Sequence, residues 1–258
     1  MRLKRFAARA ISEICALAGN GAAPRSGLRI LLYHSVGFGV SNDPYGLSIR
    51  PQLFERQMKA LKESEQLTIV NLTAPHIGGQ GLRVAVTFDD GYKDNLYNAA
   101  PILLDAEIPF TVFVTSGFLR NGSSEYLDPN ELKELASLSG VTIGSHGVNH
   151  LRLRDCDEAR LARELDDSRR QIEDLTGKPV TSLAYPHGSA DRRVRDRARH
   201  AGYSLGVCSR FDINDENRDP MLLCRCEVIA ADSERVFHQK ISGAWDWYRW
   251  RERDPLEI

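Results

Sequence analysis

Asp89 and Asp90 stand side by side at the end of an apolar run, residues 83–92, with Gly91 directly behind them. Val84, Val86 and Phe88 favour extended backbone in a run too apolar to be half solvated. The run reads as a buried strand, with Gly91 letting the chain turn where the strand stops. Side chains alternate along a strand, so the two carboxylates cannot share one direction. Two acids in different surroundings at one strand end suit two tasks, metal ligation and proton acceptance. Taken alone, Asp-Asp-Gly is equally ordinary turn chemistry. A second stretch shifts the balance. His146 and His150 stand four residues apart in Gly-Ser-His-Gly-Val-Asn-His, residues 144–150. Gly144 and Gly147 point to an irregular turn at a strand end, which can still aim both rings at one point. Two neutral imidazoles and one carboxylate leave a coordination position open for water, as catalytic zinc sites do.

The elements that must hold these groups alternate. Apolar runs at 28–33, 84–88, 109–115, 141–143, 180–185, 204–208 and 222–229 read as strands. Between them, residues 51–61, 95–105 and 190–201 read as helices. Asp128-Pro129-Asn130-Glu131 supplies the cap, first-turn proline and third-position acid of another helix start, with Leu132, Leu135 and Leu138 inside. Asp157 caps the longest helix, which turns Leu161, Leu165, Ile172 and Leu175 inward, ends at Gly177 and Pro179, and gives its charged opposite face to solvent. Alternation of strand and helix implies a parallel sheet, and about seven such units imply a closed α/β barrel. His34, the Asp89-Asp90 pair, His146 and the turn at 186–188 all follow strands, on the rim where barrel enzymes gather their chemistry.

With those residues placed, the chain resembles the polysaccharide deacetylases that share the NodB homology domain, carbohydrate esterase family 4. Thr-Phe-Asp-Asp-Gly-Tyr at 87–92 is similar to the family's first motif, and His146 with His150 to its second. Leu-Ala-Tyr-Pro-His-Gly at 183–188 is similar to its third. The likeness runs in family order from about residue 28 to about residue 237, which is more specific than any one motif. It implies a distorted (β/α) barrel with fewer than eight complete units. It further implies that Asp90, His146 and His150 hold a divalent metal, Zn²⁺ first, with Co²⁺, Ni²⁺ or Fe²⁺ as alternatives. Asp89 then takes the proton of the attacking water, and the backbone amide of His187 steadies the tetrahedral oxyanion. The implied reaction is hydrolysis of the N-acetyl amide of amino-sugar units in a surface polysaccharide, an exopolysaccharide or a lipid-linked precursor, with release of acetate. The alternatives are hydrolysis of another non-peptide amide and a non-catalytic carbohydrate-binding barrel; a binder has no need of a base beside a metal.

Three departures from the family pattern bear on this. Ala184 stands where the third motif usually carries the arginine that orients the base. Arg225 lies where one branch has an arginine late in the chain, so it takes over that role or forms a surface ion pair. The late histidine motif that supplies the general acid is absent, since His238 has other surroundings. His34, after Tyr33 at a strand end, is similar to the Tyr-His pair that opens the domain in the branch resembling poly-N-acetylglucosamine deacetylases, and is the candidate acid.

Composition bounds the rest. With 258 residues and 42% hydrophobic content the chain has ample core for one large domain or two small ones. We divide it into an extension and linker at 1–27, the deacetylase-like domain at 28–240, and a Trp-rich segment at 241–258. A net charge of −1 gives no case for nucleic acid. Five scattered cysteines, an odd number, fit free thiols in a reducing compartment, hence a cytoplasmic location. Arg2, Lys4, Arg5 and Arg9 alternate with Leu3, Phe6, Ala10, Ile14 and Leu17 as in a basic amphipathic helix, and Ser12-Glu13 interrupts the apolar core that a secretory signal needs. Such a helix lies on the anionic inner face of a membrane through residues 1–20 or packs on the barrel. Residues 19–27 read as a linker and His76 as a loop residue. Trp245, Trp247, Tyr248 and Trp250 form no single helical stripe and read as packing.

Overall fold

The computed structural model describes residues 2–18, 26–37, 43–73, 77, 80–120, 122–251 and 254–257. The expectations for His76 and for most of the 19–27 linker fall outside these residues. In chain order the elements are α1 Arg2–Ala18, β1 Gly27–Tyr33, β2 Ser35–Val36, β3 Ser48–Ile49, α2 Pro51–Lys62, β4 Leu67–Ile69 and β5 Leu82–Phe88. Then come α3 Ala100–Asp105, β6 Phe110–Val114, α4 Pro129–Ser137, β7 Val141–Ser145, α5 Glu158–Thr176, β8 Ser182–Ala184, α6 Arg192–His200, β9 Leu205–Val207, β10 Cys226–Glu227 and α7 Glu234–Ser242.

The main sheet is parallel with the order β10-β1-β5-β6-β7-β8-β9, and β4 pairs with the first half of β5. One segment near the end of the chain touches both of its edges. Leu223 makes a parallel bridge to Val207 beside β9, and Cys226 pairs with Leu31 of β1. The result is the distorted α/β barrel that the family resemblance implies, where alternation of elements alone pointed to a closed barrel of about seven units. Strand alternation divides the core in two. Ala85 clusters with Leu28, Ile30, Phe113, Ala184 and Leu223, whereas Val84, Val86 and Phe88 join the larger cluster shared with the helices. Asp89 continues the line of Ala85 and Thr87, and is thereby delivered to the inner side.

The caps form as their residues dictate. Asp128 accepts from the N–H groups of Asn130 and Glu131 while Glu131 reaches back, and Asp157 accepts from Arg160. Residues 95–105 depart from the single helix expected. The stretch Asn95–Ala99 is a wider π-type turn, in which the Ala100 N–H reaches back to Asn95, before α3 begins. Pro101 has no N–H to continue a regular ladder.

The two ends of the chain meet. Arg29, buried in β1, forks onto Asp246 at 2.7 and 3.0 Å and ties down the C-terminal segment. Trp245 is buried and Trp247 donates to Ser12 of α1 at 2.9 Å, whereas Trp250 is exposed and departs from the packing expected of it. All five cysteines are free thiols.

Candidate metal centre and catalytic residues

The strand ends of β5, β7 and β8 converge. Asp90 Oδ1 lies 3.2 Å from His150 Nε2 and 3.5 Å from His146 Nε2. Tetrahedral ligands about 2.0–2.1 Å from a zinc ion are separated by about 3.3 Å, so Asp90 stands from both imidazoles at the spacing such an ion requires, and all three donor atoms lie within 4.8 Å of one another. Asp90 Oδ1 is buried and has no hydrogen-bond partner among the described residues, an arrangement a cation would satisfy. His146 donates Nδ1–H to the Ala184 carbonyl at 2.8 Å, which turns the Nε2 lone pair toward Asp90. Burial lowers the pKa of His146 to about 4, against the pull of Asp89 and Asp90, and keeps the ring in the neutral form a ligand needs.

The backbone is strained to make this convergence. Four non-glycine residues have positive φ among the described ones, and three of them are Asp90 at 72°, His150 at 54° and His187 at 58°. Such conformations persist only where surrounding contacts impose them. At the His146–His150 loop these contacts come from residues 115–117. Ser116 donates to Gly147 O and Gly117 to Val148 O, and a Cβ on Gly117 would sit 2.4 Å from the Val148 oxygen.

Asp89 faces a different environment. Arg225, wholly buried, forks onto it with Nη1 2.7 Å from Oδ1 and Nη2 2.6 Å from Oδ2. Burial pushes the Asp89 carboxyl upward, but the guanidinium outweighs it, with help from His146 and His34, and the pKa falls to about 2. The other arm of Arg225 donates Nε–H to Cys208 O at 3.1 Å, so the clamp is itself held. Of the two sequence alternatives for Arg225, the surface ion pair is excluded.

His34 is half-buried, with Nδ1 buried and no partner for it among the described residues. Its backbone carbonyl accepts from Asn95 at 2.8 Å, which fixes the strand end beside Asp89. The His187 ring lies 4.4 Å from that of His150, tilted 59° to it, so its side chain borders the centre. His238 and His200 are exposed on α7 and at the end of α6.

Comparison with known proteins assigns this arrangement to a family. A model described as polysaccharide deacetylase matches residues 79–206. A putative polysaccharide deacetylase, YxkH of Bacillus subtilis, is 30% identical over 215 residues, which is 81% of this chain and 74% of that one. The chain belongs to the polysaccharide deacetylase family. A poly-β-1,6-N-acetyl-D-glucosamine N-deacetylase of Staphylococcus aureus is 27% identical over 66% of this chain, which spans 63% of that protein's length. Among solved structures, the deacetylase PplD of Streptococcus pyogenes superposes with a TM-score of 0.73 at 24% identity, over 84% of this chain and 99% of that one. IcaB from Ammonifex degensii gives 0.68 at 23% identity, over 86% and 98%. These two structures share the fold.

Within this polysaccharide deacetylase, two positioning groups escaped sequence reading. Glu164 and Ser168 lie on the buried face of α5, not on a solvated one. Glu164 Oε2 accepts from the N–H groups of Val148 and Asn149 at 2.9 Å each, and Oε1 from the Asn149 side chain at 2.6 Å. Ser168 donates to Gly147 O at 2.9 Å. Together they hold the loop between His146 and His150 from behind. The available signal was spacing, since Glu164 and Ser168 stand beside Leu161, Leu165 and Ile172 on one helical face.

Proposed function

We propose that the chain hydrolyses the N-acetyl amide of amino-sugar units in a surface polysaccharide or exopolysaccharide, or in its lipid-linked precursor, and that Zn²⁺ occupies the Asp90-His146-His150 centre. The observation that carries this reading is the division of labour between adjacent acids. Asp90 offers an unpartnered oxygen to two imidazoles, while Asp89 is withheld from ligation by Arg225. Asp90, His146 and His150 would hold the divalent ion, which when bound would supply Lewis-acid polarisation of the amide carbonyl and a more acidic water. Asp89, kept ionised and oriented, accepts the proton of the attacking water. The His187 N–H contributes to the oxyanion, a donor typically worth about 3–4 kcal/mol of barrier. His34 protonates the amine as it leaves, because an amine anion is too basic to depart unaided.

The test is acetate release from a panel of N-acetylated oligosaccharides and lipid-linked sugars, with metal content measured alongside. Chelation should abolish release and added Zn²⁺ or Co²⁺ should restore it, while His146→Ala or His150→Ala lowers metal occupancy. Full turnover by metal-free protein overturns the reading.

The role of His34 has its own expected result. His34→Ala should keep metal and lower turnover on the amide by about 10²- to 10⁴-fold. It should spare an aryl acetate ester, whose leaving group needs no proton. Equal loss on both substrates, or an emptied metal site, removes His34 from the acid role.

A further inference from the structure

We propose that the outward face of α1 seats this protein on an anionic lipid bilayer. The inward face is already used. Ala8 and Ser12 are buried against α7 and the C-terminal segment, Trp247 donates to Ser12 at 2.9 Å, and Arg9 donates to the Ala231 carbonyl at 2.6 Å. Glu13 is paired with Arg235 of α7. These contacts fix which side of the helix looks outward.

That side is apolar. Ile14 and Leu17 are each 66% exposed and Ile11 is 41% exposed, so three of the seven exposed large hydrophobic side chains among the described residues sit on this one helix. Ala10, one turn before Ile14, is exposed with it, and in the sequence Leu3 and Phe6 precede Ala10 at helical spacing. Arg2, Lys4, Arg5 and Arg9 interleave with it, and no acid precedes Glu13, whose charge is spent on Arg235. An apolar stripe next to a run of cations with no acid among them selects its partner by both properties. A second copy docked through this stripe would bring the basic first turns of two such helices together, with no acid before Glu13 in either. An anionic bilayer takes up the apolar side chains and pairs the cations with its headgroups. No helix among the described residues is long and apolar enough to cross a membrane, so the contact is one of lying in the surface. At about 1.5 Å per residue α1 offers roughly 25 Å of such contact.

Co-sedimentation of the full chain with phosphatidylcholine vesicles, with and without phosphatidylglycerol, tests this. Binding should be at least roughly tenfold stronger to the anionic vesicles and should weaken as salt rises. The double variant Ile14→Asp/Leu17→Asp, and separately Arg2→Ser/Lys4→Ser/Arg5→Ser, should each lose most of that binding while circular dichroism and the melting temperature stay unchanged. No preference for anionic vesicles, or undiminished binding by both variants, overturns the proposal. So does a dimer seen by light scattering that Ile14→Asp/Leu17→Asp dissociates, since a second copy would then own this face.

Discussion

Asp89→Asn is expected to leave the metal in place and to lower turnover by about 10²- to 10⁴-fold, the usual cost of losing a general base. The amide is nearly isosteric and its oxygen can still accept from one arm of the Arg225 fork, but it cannot take the proton of water. Asp90, His146 and His150 keep their mutual distances, so metal content should match the wild type. The low pKa of Asp89, about 2, has a consequence for the pH profile. The carboxylate stays ionised across the working range, so any acid limb above about pH 4 belongs to another group and should survive in the residual activity of the variant. The same shift has a sign for stability. Because the folded value lies below the ordinary carboxylate value, the pairing stabilises the protein above that ordinary value, and the contribution is lost as pH falls toward 2. Asp89→Asn should therefore flatten the acid side of the stability curve as well as lower its plateau. If the variant loses metal but keeps its rate at saturating metal, the roles of Asp89 and Asp90 are exchanged.

Much of this arrangement was legible because parallel strands announce themselves as apolar runs and the chemistry sits where those runs stop. Asp89, Asp90 and His146 each follow such a run, and alternation alone implied that the two acids face different surroundings. What the sequence did not disclose was of two kinds. The first is backbone conformation at residues whose type argues against it. Asp90, His150 and His187 are left-handed, and the loop that carries His150 is held from outside its own sequence, by Ser116 and Gly117 and by Glu164 behind it. The second is partnership across the chain. Glu164 looked like one more acid on a charged helix, because burial of a carboxylate is rare enough that periodicity is read past it. The π-type turn at Asn95–Ala99 also went unread as a continuous helix, although Asn95 and Asn98 there hold the carbonyls of His34 and Val36. Ala184, which looks like a loss in the third motif, contributes its carbonyl to His146, and the arginine on Asp89 is Arg225.

Arg225 therefore carries the second large expectation. Its guanidinium is fully buried, 5.6 Å over the Phe113 ring, and Asp89 is its one carboxylate partner among the described residues. Removing one member of a buried pair strands the other, at a cost of about 3–5 kcal/mol. Arg225→Met should lower the unfolding free energy by that amount at neutral pH and reduce turnover steeply, because Asp89 is then neither oriented nor held ionised. The pH dependence separates this from a general packing defect. With Arg225 gone, burial is the larger influence on Asp89, the folded pKa rises above the unfolded value, and the penalty for a lone charge is relieved as pH falls. Denaturant unfolding at pH 7.5 and pH 5 should show the variant recovering part of its deficit at the lower pH, the reverse of the pairing's contribution in the wild type. Arg225→Lys keeps a charge but not the fork, so it should recover more stability than turnover. In the double variant Asp89→Asn/Arg225→Met, the stability loss should be smaller than the sum of the single losses, since no charge is left unpaired. A wild-type rate in Arg225→Met, or strict additivity in the double variant, would show that the clamp on Asp89 contributes nothing to the base.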